Sequence, residues 1–111
     1  MVILLKYECW KGSALEVKFV LGSIYFIITD EIGNFVYCVF SGRRAREFVK
    51  ILTDNESTEI LDRGGDLMRL QSFKGGGFGI SINSKKMTKG FAMNQQQIQE
   101  LIDFCQKIHK L

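Results

Sequence analysis

Two stretches decide how this chain is read: Gly22-Ser-Ile-Tyr-Phe-Ile-Ile-Thr29 and Gly76-Gly-Phe-Gly-Ile-Ser-Ile-Asn83. Each begins with a glycine turn and continues as a short run dense in β-branched or aromatic residues, the signature of a strand leaving a hairpin. They lie 54 positions apart in a chain of 111 residues, close to half its length. A repeat at that interval predicts two units, each too small to bury a core alone.

The flanking residues extend the match. Upstream of the first stretch, Val2–Trp10 and the alternating Ala14–Leu21 read as strands, with Leu15, Val17, Phe19 and Leu21 on one face and Glu16 and Lys18 on the other. Downstream, Asp30–Asn34 reads as a hairpin loop into a strand at Phe35–Phe40. Ser41 then stands as N-cap of a helix whose Ala45, Phe48, Val49 and Leu52 recur at helical spacing. Asp54–Ser57 forms a linker.

The second half repeats this order through Thr58–Asp62, Asp66–Phe73, Gly77–Asn83 and Lys86–Met93. Asn94 caps a closing helix with Ile98, Leu101, Ile102 and Cys105 on its buried stripe. The expected fold class is therefore α+β in one domain, residues 1–111. Repeat 1 covers 1–54 and repeat 2 covers 55–111, each ββββα, related by a pseudo-two-fold, with antiparallel sheets packed on two helices.

Hydrophobic residues make up 46% and charged residues 24%, ordinary for a globular domain and unlike a disordered one. The apolar start ends at Lys6, too short for a signal-peptide core or a membrane span, so a cytoplasmic location and no membrane partner are expected. Cys9, Cys38 and Cys105 are odd in number and widely spaced, which suits buried free thiols in a reducing compartment. No cysteine pair has metal-ligand spacing, and His109 is the sole histidine. We expect no metal, no cofactor and no catalysis. Gly75–Gly79 is glycine-rich, but no Gly-Lys-Ser/Thr follows and no helix starts there, so it reads as a hairpin and not a phosphate loop. Cys105 and His109 stand one helical turn apart, yet Cys105 belongs to the core stripe.

The net charge of +3 says less than its distribution. From Leu67 to Gln99 there is no Asp or Glu, while Arg69, Lys74, Lys85, Lys86 and Lys89 all fall inside. Such a segment attracts phosphate backbones. The same lysines also suit hairpin ends guarded against edge-to-edge pairing. In the first half, Trp10, Tyr25, Ile27 and Val36 are grouped with Lys6 and Lys18 on the strand face turned away from the helices. In the second half that face is assigned Arg69, Gln71, Phe73 and Lys89. Aromatics interleaved with cations suit single-stranded nucleic acid, because bases stack on rings while cations follow the backbone. An apolar second face suits a dimer interface equally well.

Gly77–Leu111 resembles the C-terminal domain of the positive-cofactor-four coactivators, in which a strand and basic loop lead to Lys-Gly-Ile-Ser-Leu and then a helix. Here Lys89-Gly-Phe-Ala-Met-Asn94 precedes Gln95-Gln-Gln-Ile98. The doubled ββββα order is similar to that of the Whirly and Pur-alpha proteins. Phe91-Ala92 replaces the usual Ile-Ser, and three glutamines open the helix. The resemblance implies binding of single-stranded DNA or RNA, with Lys85, Lys86 and Lys89 as basic loop and strand and Phe78 as a stacking ring. The full set of candidate contacts is Lys6, Trp10, Lys18, Arg69, Phe73, Lys74, Phe78, Lys85, Lys86 and Lys89. A homodimer or higher oligomer is the expected assembly. The alternative is a protein-interaction or dimerisation module that uses the apolar face without nucleic acid.

Overall fold

Four strands and a helix follow one another twice: β1 (Ile3–Glu8), β2 (Ala14–Val20), β3 (Ser23–Thr29), β4 (Phe35–Ser41) and α1 (Gly42–Thr53), then β5 (Thr58–Leu61), β6 (Leu67–Ser72), β7 (Phe78–Ser84), β8 (Met87–Met93) and α2 (Gln95–His109). The computed structural model describes residues 3–9, 12–62, 64–85 and 87–109. Trp10 and Lys86 lie outside them. Each set of strands forms a separate antiparallel meander, β1-β2-β3-β4 and β5-β6-β7-β8. The radius of gyration of 12.9 Å matches the ~13 Å expected of one compact body of this length.

Turn chemistry explains the meanders. The Asp30–Asn34 loop closes with Asp30 N–H to the Asn34 carbonyl at 2.8 Å and Gly33 N–H to the Asp30 carbonyl at 3.2 Å. Gly33 sits at φ 95°, a conformation that a side chain would disfavour. Residues 9–13, 62–66 and 73–77 repeat both hydrogen bonds, with a glycine again in fourth place. The β2–β3 connection differs. Leu21, expected on the apolar face of β2, occupies this tight turn at φ 51° and is 97% exposed. The two-residue turn consumes it before the strand alternation can turn it inward.

Inner faces follow the alternation. Leu15, Val17, Ile24, Phe26, Ile28, Val36, Cys38 and Phe40 of the first sheet are buried in one cluster with Met68, Leu70, Phe78, Ile80 and Ile82 of the second. Phe48 and Leu52 of α1 join this core, as do Ile98, Leu101, Ile102 and Cys105 of α2. Phe26 packs at 4.7 Å on Phe48 and edge-on at 5.7 Å on Phe40. Val36 was grouped with the open face but is buried. In register it follows Cys38 and Phe40, not Tyr37.

The caps differ in kind. Asn94 Oδ1 accepts from Gln97 N–H at 2.8 Å while Gln97 Oε1 accepts from Asn94 N–H at 3.0 Å, a reciprocal capping box that starts α2. Ser41 has extended backbone but makes no side-chain cap bond; it remains paired in β4, opposite Ser23.

The halves interlock. β4 lies against β7 and β8, β3 against β8, and α1 against α2. The Tyr7 hydroxyl in β1 reaches the Gln97 carbonyl oxygen at 3.2 Å and Glu100 Oε2 at 3.1 Å in α2. Burial, then the acceptor Glu100, holds this phenol well above the usual tyrosine range. Asp62, after β5, makes the second link. Its Oδ1 accepts from Gly64 N–H at 2.8 Å and Asp66 N–H at 2.9 Å, while Oδ2 accepts from Val39 N–H in β4 at 3.0 Å.

Candidate nucleic-acid interface

Small residues of β7 and β8 run through the outer face of the second sheet. Cross-strand rows run Glu59–Arg69–Ser81–Gly90 and Leu61–Leu67–Asn83–Thr88, beside Gln71–Gly79–Ala92. With glycine, serine and alanine along its middle, the face is floored by backbone. Arg69, Gln71, Gly79, Ser81, Gly90 and Ala92 line a shallow trough of about 300 Å³. Phe73 leaves the end of β6 and lays its ring on Gly79, where a Cβ would stand only 2.9 Å from the ring's Cζ. The tip of the ring is braced there, and the residue is 39% exposed. A braced and part-exposed aromatic ring offers π-surface to a stacking base.

Arg69 occupies the same face, in the neighbouring cross-strand row. Its Nη2 lies 2.9 Å and its Nε 3.1 Å from Glu59 Oε1. Both side chains are largely exposed, so the pair contributes only ~0–1 kcal/mol. The contacts use Nε and Nη2, which leaves the N–H donors of Nη1.

The run without acids does not stay so in space. Glu59 reaches Arg69 from β5, and Asp30 reaches Lys89 from the first half, Oδ2 to Nζ at 2.6 Å. Lys89 pairs in register with buried Ile82, so it lies on the inner face and not among the outer-face contacts to which it was assigned. The ammonium's hydrogen bond, with the Asn34 and Ile32 amides, lowers the Asp30 pKa below its ordinary value. Lys74 and Lys85 are exposed, in the turns at opposite ends of β7, about 20 Å apart for a strand of this length. Lys85 adopts φ 57° there.

Phe78, expected as a stacking ring, is 1% exposed and pairs with Ser72 and Met93 on the inner face. Its alternation partners Ile80 and Ile82 turn inward together, and it follows them. Lys6 and Lys18 do occupy the outer face of the first sheet, but Glu8 and Glu16 neutralise them at 3.3 and 3.5 Å. Among the described residues the aromatics of that face are Tyr25, Phe35 and Tyr37, the last two with ring centroids 6.5 Å apart and 30° between planes. Phe35 is 59%, Leu4 51% and Tyr37 44% exposed. Phe35 and Tyr37 are not among the residues expected on this face from sequence, although alternation against buried Val36 and Cys38 marks them.

Among the described residues no group of His, Cys, Asp and Glu is placed to hold a metal ion, and no helix is long and apolar enough to cross a membrane. Burial pushes the thiols of Cys38 and Cys105 up to about 12, with Asp62 and Asp66 adding to the first, so neither is a nucleophile at neutral pH. The chain matches no protein-family model and no curated protein.

Proposed function

We propose that this chain binds single-stranded nucleic acid across the outer face of the second sheet, and that its two ββββα units are related by a pseudo-two-fold axis with each sheet packed on the helices. One observation carries the binding reading: Phe73, part exposed and seated on Gly79, shares this sheet face with the exposed cation of Arg69. Bases stack on Phe73 over the backbone floor. Arg69, with Lys74 and Lys85 at the two ends of β7, meets phosphates. Binding that uses three cations on a single strand has a log–log salt slope of about −2, or roughly a 20-fold loss between about 50 and 200 mM salt. Fluorescence anisotropy with labelled oligo-dT measures this, with duplex DNA as the comparison. Phe73→Ala is expected to weaken binding about 5- to 100-fold. No affinity for oligo-dT at about 50 mM salt refutes the proposal.

A second reading is favoured by the first sheet. Leu4, Phe35 and Tyr37 are exposed there beside Tyr25 and Ile27, and the nearby lysines are neutralised by their own glutamates. Such a face suits association with a second copy, in a dimer that leaves the second sheet open. Sedimentation equilibrium tests it: Tyr37→Glu shifts a dimer to monomer, and a monomeric parent chain refutes it.

A further inference from the structure

A cleft of about 390 Å³ opens between the end of α1, the 73–77 turn and α2, on a different side of that turn from the Phe73 platform. Its volume lies within the range of small-molecule sites. Gln95, Gln99 and Gln106 project from one stripe of α2, and Asn55 faces them from beyond the end of α1. Their hydrogen-bonding capacity is only partly used. Gln99 Nε2 donates to Asp103 at 3.0 Å, which leaves its carbonyl oxygen. Asn55 Oδ1 accepts from Ser72 Oγ at 2.9 Å, which leaves its amide N–H groups. The side chains of Gln95 and Gln106 form no hydrogen bond among the described residues. Leu52, Phe78, Ile98 and Ile102, all buried, supply an apolar floor beneath the amides.

Among the described residues no ionisable side chain lines this cleft. A phosphate or carboxylate would be desolvated there without a counter-charge, and an ammonium likewise. What fits is a flat apolar body with donors and acceptors along one edge. A carboxamide presents one donor and one acceptor side by side, the pattern that meets the N6/N7 edge of adenine twice. We propose that this cleft binds one uncharged planar heterocycle of the nucleobase type, with the adenine edge the best match. The site is distinct from the outer sheet face and needs no strand bound there.

The test is a titration of the whole ¹⁵N-labelled protein with adenosine and, separately, uridine and inorganic phosphate, read by NMR. Adenosine is expected to shift the side-chain amides of Gln95, Gln99 and Gln106 and the backbone of Gly76 and Gly77, more strongly than uridine. Phosphate should leave them in place. Gln95→Leu combined with Gln106→Leu removes two exposed amides and should weaken adenosine about tenfold or more, at unchanged thermal midpoint. The proposal is overturned if neither nucleoside moves these signals, if phosphate moves them equally, or if the folded double variant binds adenosine as the parent does.

Discussion

Replacing Asp62 by asparagine changes two atoms' chemistry and almost no volume, yet it is expected to loosen the junction between the halves. Both carboxylate oxygens are in use: Oδ1 holds the Gly64 and Asp66 amides of its own turn, and Oδ2 accepts the Val39 amide on the edge of β4. Asparagine has one acceptor oxygen. If that oxygen keeps the turn, its NH₂ faces the Val39 N–H, donor against donor, at a residue only 9% exposed. A net hydrogen bond to a charged group contributes ~1.5–3 kcal/mol, and an unsatisfied buried N–H costs ~1–3 kcal/mol. We therefore expect Asp62→Asn to destabilise by about 2–3 kcal/mol and Asp62→Ala, which also frees the turn amides, by about 3–5 kcal/mol. For a domain of this size, the asparagine variant's midpoint falls by roughly 8–15 °C. Urea unfolding should show a lower midpoint at unchanged slope. In amide exchange, Val39 should lose protection ahead of its strand neighbours. An asparagine variant within about 0.5 kcal/mol of the parent would refute the assignment of Asp62 as the link.

Gly79→Ala places a methyl group 2.9 Å from the Phe73 ring and lifts it from its seat; oligo-dT binding should fall at least about 5-fold, one stacking contact, with the unfolding midpoint little changed. Because the folded pKa of Asp30 lies below the ordinary 3.8, the stability it contributes is present above pH 3.8 and is lost as pH falls through the folded value. Acid titration of Asp30→Asn should accordingly show a shallower decline below pH 3.8 than the parent. Cys38 and Cys105, pushed up to about 12, should resist a thiol reagent at pH 8 until the protein unfolds; rapid labelling of either in native buffer would contradict their burial.

Local chemistry made much of this protein legible. A glycine in the fourth place of Asp30–Asn34 requires a tight loop, and strict alternation through Phe78, Ile80 and Ile82 puts three side chains on one face whatever surrounds them. Asn94 with Gln97 is a cap readable from spacing alone. These features depend on backbone geometry over a few residues, so the amino-acid order determines them. Which face is buried is a different matter. Alternation places Phe78 and Lys89 in sets without saying which set meets the helices, and both proved to be inward-facing. Charge shows the same limit. The acid-free run ending at Gln99 is real as a string, but Asp30 approaches Lys89 from 59 residues away and Glu59 crosses to Arg69 through the β5–β6 register. Asp62 reads in the sequence as the last residue of a strand until β4 arrives beside it. Strand order and turn positions were thus set by neighbours along the chain. The open faces, the pairing of charges and the seat of Phe73 on Gly79 were decided only when distant strands came together, because burial and electrostatics act through space and not along the sequence.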